Sequence, residues 1–161
     1  ENTFGSRMMS GGFLLNNQLT DFSFSPRKDG VLIANRAEPN KRPRSSMSPT
    51  LVFDGSGNLV MAIGSPGGSR IIGYVVKTLI AVLDWGMDMD AAIDAPYFVN
   101  RNGSTDLEKD TQLEALKPIL EGMGHTVKLI SNTSGLHGIL TTLSGLDGGA
   151  DKRREGVALG D

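Results

Sequence analysis

Apolar residues along this chain fall into short runs separated by polar, glycine- and proline-rich stretches, and the spacing within each run points to an element. TLVFD (50–54) and NLVMAIG (58–64) flank Gly55-Ser56-Gly57, which predicts a β-hairpin. GSPGGSR (64–70) follows, and behind it comes IIGYVVKTLIAVLDW (71–85). Ile71, Ile72, Tyr74, Val75, Val76, Leu79, Ile80, Val82 and Leu83 cover most of a helical circumference, so a helix from about Gly67 to Asp84 is expected to be buried on nearly all sides. GFLLNNQL (12–19) reads as a short buried strand, and residues 23–46 hold no sustained period and read as a long loop. A shorter helix over Asp90–Asp94 ends before Pro96. Leu113, Leu116 and Leu120 set a helix over Thr111–Glu121 with a kink at Pro118, stopping at Gly122 and Gly124. HTVKLI (125–130) and HGILTTL (137–143) read as strands, and GGADKRREG (148–156) as a polar closing turn. No repeat and no linker interrupts residues 1–161, and the order strands, helices, strands predicts a single α+β layered domain.

Composition narrows the function classes. A net charge of −2 gives no electrostatic case for binding nucleic acid or an anionic membrane. The absence of cysteine excludes disulfides, thiolate metal sites and a cysteine nucleophile. No apolar run approaches the roughly 20 residues that span a bilayer. ENTFGSRMMSGG at the start lacks the basic and apolar regions of a signal peptide, and the first residue is not Met, so an upstream segment is expected.

Three stretches could carry chemistry. The glycines of GSPGGSR precede a helix, whose first N–H groups are unpaired and whose end carries about half a positive charge. Such an elbow can cradle an anion or a developing oxyanion, although a plain tight turn accounts for it equally simply. It has neither the Lys-Ser/Thr of a P-loop nor the dinucleotide-binding spacing. RPRSSMSPT (42–50) sets two adjacent hydroxyls, Ser45 and Ser46, between proline-stiffened segments, fit to hydrogen-bond a carboxylate or simply to line a polar loop. NNQLTD (16–21) presents Gln18 and Asp21, which could grip an ammonium group or merely form a turn. His125 and His137 have no metal-ligand spacing and read as structural. Asp151, Arg153 and Arg154 read as a solvated turn, with a buried ion pair as the alternative.

Taken together, FLLNNQLTDF (13–22), NKRPRSSMSPT (40–50) and GSPGGSR (64–70), in that order and continued by LDWGMD, DAP and GGADKRREG, resemble the small subunit of the gamma-glutamyltranspeptidases. These are N-terminal-nucleophile hydrolases that cleave their own precursor into two subunits. The resemblance runs along nearly the whole chain. It implies part of an αββα sandwich lacking the N-terminal nucleophile strands, in a truncated small (C-terminal) subunit. It implies an enzyme that cleaves γ-glutamyl amides such as glutathione and transfers the γ-glutamyl group to water or to an amino-acid or peptide acceptor. By the same resemblance Ser45 and Ser46, with an arginine of the large subunit, bind the substrate's α-carboxylate. Glu1, Gln18 and Asp21 bind its α-ammonium, and the N–H groups of Gly67 and Gly68 form the oxyanion hole. Neither cofactor nor metal is implied. The implied partners are the large subunit of the same precursor and the γ-glutamyl substrate, not nucleic acid, and a periplasmic or extracellular site is suggested.

The sequence departs from the family pattern in two places. The family's nucleophile is a threonine heading a TTH-type segment upstream of TFG, and no such segment is present; Thr3 belongs to TFG itself and is not a candidate. A fragment is therefore expected, inactive alone and prone to self-associate through unpaired strand edges. Residues 23–40 also hold a single aromatic, Phe24, so an aromatic lid over the substrate is not expected, and a more open pocket would suit hydrolysis or larger γ-glutamyl substrates. Two alternatives stand beside the main reading. One is a cephalosporin (glutaryl) acylase of the same family, for which the ammonium-binding set would have little to hold. The other is a non-catalytic homologue.

Overall fold

The computed structural model describes residues 6–160, so Glu1 lies outside the described residues. The chain divides into two compact units, Glu1–Ser45 and Ser46–Asp161.

In the first unit, β1 (Met9–Ser10) pairs antiparallel with β2 (Phe13–Leu14) across Gly11-Gly12, both at positive φ. A short 3₁₀ turn spans Gln18–Asp21, and β3 (Arg27–Lys28) pairs with β4 (Val31–Leu32). The expected buried strand over 12–19 is thus a two-residue strand followed by a turn, and Phe13 is 75% exposed. Its apolar residues belong to a two-stranded hairpin, a unit too small to bury its own faces, and among the described residues Phe13, Leu14 and Leu15 stay exposed. The expected long loop is also broken. Asp29-Gly30 takes φ of 51° and 79°, the two left-handed positions of a tight hairpin turn. This Asp-Gly signal stands plainly in SPRKDGVLI.

The second unit holds the core. β5 (Thr50–Phe53) and β6 (Leu59–Gly64) form the predicted hairpin. Asp54 closes its turn by accepting from the amides of Ser56 and Asn58, each at 2.8 Å. Then come α1 (Ile71–Leu83), α2 (Met89–Asp94), β7 (Phe98–Asn100), β8 (Thr105–Glu108), α3 (Lys117–Gly122), β9 (Val127–Ile130), β10 (His137–Thr142) and β11 (Gly145–Ala150). An antiparallel sheet runs β11-β10-β6-β5, and a second sheet runs β7-β8-β9, with β8 and β9 parallel.

β11 corrects the expected closing turn, because residues 148–150 are strand. Of the glycines that hid it, Gly149 makes room for α2, as does Gly138 on the neighbouring β10. A Cβ on Gly149 would stand 3.0 Å from the backbone of Asp90, and one on Gly138 would stand 2.6 Å from the Met89 sulfur. Glycine in these strands marks close approach of another element. Met61 and Ile63 of β6 pack with Tyr74, Val75 and Val82 of α1, Met89, Ala92 and Ile93 of α2, and Tyr97, Val99 and Leu136.

α1 is also less enclosed than expected. Ile71, Tyr74, Val75, Thr78, Ala81 and Val82 are buried, while Ile72, Val76, Ile80 and Leu83 form a stripe left 38–52% exposed. An all-round apolar sequence fixes how many faces a helix could bury, not how many the described residues cover. α3 corrects the expected kinked helix over Thr111–Glu121: the backbone runs as 3₁₀ over Gln112–Leu116 and becomes α only at Lys117, so Pro118 stands in the first turn of the helix, where its missing N–H costs nothing, and does not kink it.

Candidate functional site

The site candidate with the most definite geometry is the elbow between β6 and α1. β6 ends at Gly64, and Pro66 wedges against Gly135, where a Cβ would stand 2.8 Å from the proline ring. Gly67 follows at φ 137° and Gly68 at φ 58°, both outside the range that L side chains favour. The Arg70 amide donates to the Gly67 carbonyl at 3.2 Å, and the chain passes through a 3₁₀ turn, Gly68–Arg70, into α1. Gly67 has a second reason to be glycine: a Cβ there would stand 2.6 Å from the ring of Tyr74, in the first turn of α1. Around Gly68 no atom lies within 4 Å of such a Cβ, so conformation alone selects it. Among the described residues neither glycine amide has a hydrogen-bond acceptor, and Gly68 is exposed. Two N–H groups that precede a 13-residue helix and point at no protein acceptor are suited to receive negative charge.

The remaining sequence-predicted residues are placed locally. Gln18 and Asp21 bound the same 3₁₀ turn, and side chains three apart in that helix lie one above the other. The turn is fixed by Thr20, whose hydroxyl donates to the Asn17 carbonyl at 2.7 Å, and by Asn35, whose amide group donates to the Asp21 carbonyl at 2.6 Å. Ser45 closes the first unit and is exposed; Ser46 opens the second, is half-buried, and its carbonyl accepts from the Ser48 hydroxyl at 3.1 Å. The structure thus brings Gln18 and Asp21 onto one turn, and Gly67 and Gly68 onto one elbow. His125 and His137 are both exposed.

Behind the elbow lies a buried charged seam. Asp151 is fully buried and Glu108 nearly so. The Arg153 guanidinium meets the Glu108 carboxylate at 2.5 and 3.0 Å and Asp151 at 3.1 Å, and donates to the carbonyls of Ile93 and Asp94 at the end of α2. The Lys77 ammonium donates to the carbonyls of Ala92 and Ala95 at 2.6 and 2.7 Å. These two cations satisfy helix-end carbonyls that otherwise lack partners. Lys77 lies 4.0 Å and Arg153 4.8 Å from the centre of the Tyr97 ring, within cation–π range.

Burial, helped by the nearby Arg153 charge, lowers the Lys77 pKa to about 8. Burial also pushes the Tyr97 phenol up. For Asp151 burial works toward protonation, but the Ser134 hydroxyl and the Arg153 amide and guanidinium overcome it and hold the carboxyl low. The Arg153 pKa is raised in the same manner, since its two carboxylates outweigh its burial. Asp151 and Arg153 therefore form the buried ion pair that stood as the alternative to a solvated turn, because their partner Glu108 arrives from a strand 45 residues away. The contacts of Arg70 with Asp106 and of Lys77 with α2 were not foreseen either. The sequence signal was the charge at Asp106 and Glu108 within the strand TDLE (105–108), all four residues of which are buried.

The family model described as gamma-glutamyltranspeptidase matches residues 1–161. The glutathione hydrolase proenzyme of Escherichia coli (strain K12) is 39% identical over 161 residues, covering 94% of this chain and 27% of its own length. A crystal structure of a Helicobacter pylori gamma-glutamyltranspeptidase mutant superimposes with a TM-score of 0.78 at 33% identity, covering 92% of this chain and 86% of that one. The crystal structure of a cephalosporin acylase from Bacillus halodurans reaches a TM-score of 0.72 at 22% identity, covering 88% of this chain and 26% of that one, a likeness of fold alone. The chain spans 21–31% of the length of the glutathione hydrolase proenzymes it matches in Bacillus subtilis, Escherichia coli and Pseudomonas.

Proposed function

The chain belongs to the gamma-glutamyltranspeptidase family, with its α+β N-terminal-nucleophile hydrolase fold, and from that premise we propose that it supplies the substrate-binding and oxyanion-stabilising part of an enzyme acting on γ-glutamyl amides such as glutathione. The observation that carries this reading is the elbow, where two glycine amides at left-handed φ have no acceptor among the described residues. In this reading a threonine hydroxyl from outside these 161 residues attacks the γ-carbonyl carbon and passes its proton to a neighbouring amine. The carbonyl π electrons move to oxygen, and the amides of Gly67 and Gly68 hold the resulting oxyanion. The C–N bond then breaks, the leaving amine takes the proton, and water or an acceptor amine releases the γ-glutamyl group from the ester.

The substrate's α-carboxylate is assigned to Ser45 and Ser46, and its α-ammonium to Gln18 and Asp21 together with Glu1. The eclipsed placement of Gln18 and Asp21 on one turn supports a shared ligand. Processing from a single precursor that also yields a large subunit follows the relatives, which are proenzymes. A glutaryl acylase is the second reading, favoured only by the shared fold.

The test is Gly68→Val in the full precursor. A Cβ there forces φ away from 58° and turns the amide. The expected outcome is a kcat lower by roughly 10²–10³, the usual cost of losing one such donor, with a much smaller change in KM, because charge on the oxygen develops only in the transition state. A raised KM with unchanged kcat would assign the elbow to ground-state binding and overturn the reading.

A further inference from the structure

Gly67 and Gly68 have no side chains by which the fold can hold them, yet an oxyanion hole works only if its amides stay fixed. Glycine is the residue with the most backbone freedom to lose, so the restraint has to come from its neighbours. One such restraint is the Tyr74 ring beneath Gly67. Another stands at the elbow's exit. Nη2 and Nε of Arg70 donate to one carboxylate oxygen of Asp106 at 2.8 and 3.3 Å. Asp106 is only 6% exposed and sits in β8, the central strand of the three-stranded sheet. Its other oxygen accepts from the Ser104 hydroxyl at 3.3 Å, and Arg101 stands 4.0 Å from the first. Arg101 in turn donates to the Ser69 hydroxyl at 2.6 Å. Both residues that follow Gly68 are therefore tied to the β7–β8 hairpin, and the Arg70 backbone closes the turn onto the Gly67 carbonyl.

We propose that Arg70 and Asp106 form a positioning clasp for the elbow, fixing the direction of the Gly67 and Gly68 amides without touching substrate. This rests on the oxyanion-hole reading. A buried ion pair is a weak device for stability alone, but a guanidinium held through two nitrogens is fixed in position and plane, as a single ammonium is not. The Arg70 amide, two residues beyond Gly68, donates to the Gly67 carbonyl, so loosening the side chain loosens the turn. Displacement of a catalytic group by about 1 Å can cost as much as 10²-fold in rate.

The experiment measures kcat and KM of the matured full-length enzyme on a chromogenic γ-glutamyl anilide for Arg70→Gln, Arg70→Lys and Asp106→Asn, with Gly68→Val in parallel. Turnover is expressed per active site, titrated with a covalent γ-glutamyl analogue, so that misfolded protein does not count. Arg70→Gln and Asp106→Asn are expected to lower kcat about 10- to 100-fold with KM within about twofold. Arg70→Lys should fall between them and the parent, and a variant combining Arg70→Gln with Asp106→Asn should be no worse than the poorer single one. Parent-like kcat in Arg70→Gln beside a crippled Gly68→Val overturns the clasp and leaves the oxyanion hole standing. Unchanged kcat in Gly68→Val overturns both, and a purely additive double variant, or a rise in KM alone, overturns the clasp.

Discussion

In Glu1–Ser45 every strand among the described residues is two residues long, and the Glu38 carboxylate, 37% exposed, pairs with Arg36 and Lys41. In Ser46–Asp161 Arg153 joins Glu108 and Asp151 inside a closed seam, with Lys77 and Tyr97 against it. The same chemistry, an arginine paired with a carboxylate, thus does different physical work in the two units. In the first it dresses a turn. In the second it ties the end of α2, the strand β8 and the segment after β11 to one another. The proposed roles divide along this line as well. Side chains proposed to recognise the substrate zwitterion, Gln18 and Asp21, sit on a turn fixed by a few local hydrogen bonds. The glycines proposed to stabilise the transition state stand on a packed scaffold, where small displacements are resisted.

The largest test of the contrast is Arg153→Met. It leaves Glu108 and Asp151 buried without their cation, which should cost about 3–5 kcal/mol of unfolding free energy, read by urea or thermal unfolding of the chain. Lys41→Met, which removes one exposed partner of Glu38, should leave the melting temperature unchanged within error. Comparable losses in the two variants would abolish the distinction. Next in size is Ile93→Ala, which empties a fully buried site in the core and should cost about 2–5 kcal/mol. Leu19→Ala in the first unit, at a residue 78% exposed, should stay within about 0.5 kcal/mol. A large effect at Leu19 would show that this unit is stabilised through its apolar surface.

How much of this was legible in the sequence follows the same division. The β5–β6 hairpin could be read because alternation and turn chemistry agreed, with Asp54 and Gly57 doing what the turn needs. The elbow could be read because glycines before a helix have few uses. β11 could not, since Gly148 and Gly149 resemble a turn until α2 is known to pack on Gly149 and Ala158 to lie against Gly148. The stretch 12–19 was misjudged for the opposite reason: Phe13, Leu14 and Leu15 promise burial, but a run of apolar residues does not say whether a second layer meets it. The clasp of Arg70 on Asp106 joins residues 36 apart in the chain, and ion pairing at that separation leaves no periodic trace. Of the proposed ammonium-binding set, Gln18 and Asp21 are placed on one turn, while Glu1 lies outside the described residues.

A third test bears on recognition. In the full precursor, Asp21→Ala should weaken kcat/KM for γ-glutamyl substrates by about 1.5–3 kcal/mol, roughly 10- to 150-fold, because it removes a charge-assisted bond to the α-ammonium. A glutaryl substrate has no ammonium and should lose little. Equal losses on both would take Asp21 out of the ammonium site, and better turnover of the glutaryl substrate by the parent would favour the acylase reading.

The smallest effect belongs to Lys77, and its sign is the informative part. In the unfolded chain its ammonium titrates near its ordinary value of 10.5, and in the folded chain near 8, chiefly because burial disfavours the charged form. Between these values the unfolded state holds more protons than the folded one, so unfolding free energy should rise with pH. The slope is at most about 1.4 kcal/mol per pH unit for one proton. Between pH 8 and 9 the gain is therefore on the order of 1 kcal/mol or less. Above about pH 10 the Tyr97 phenol opposes it, because burial raises its folded pKa and the unfolded chain then loses that proton first. Lys77→Met should flatten the rise between pH 8 and 9 while keeping the stem packed in the core. Lys41→Met, which leaves the surroundings of Lys77 untouched, should leave the rise in place. A parent whose stability is level from pH 8 to 9, or a Lys77→Met variant with an undiminished slope, would place the titration elsewhere and remove Lys77 from the seam's energetics.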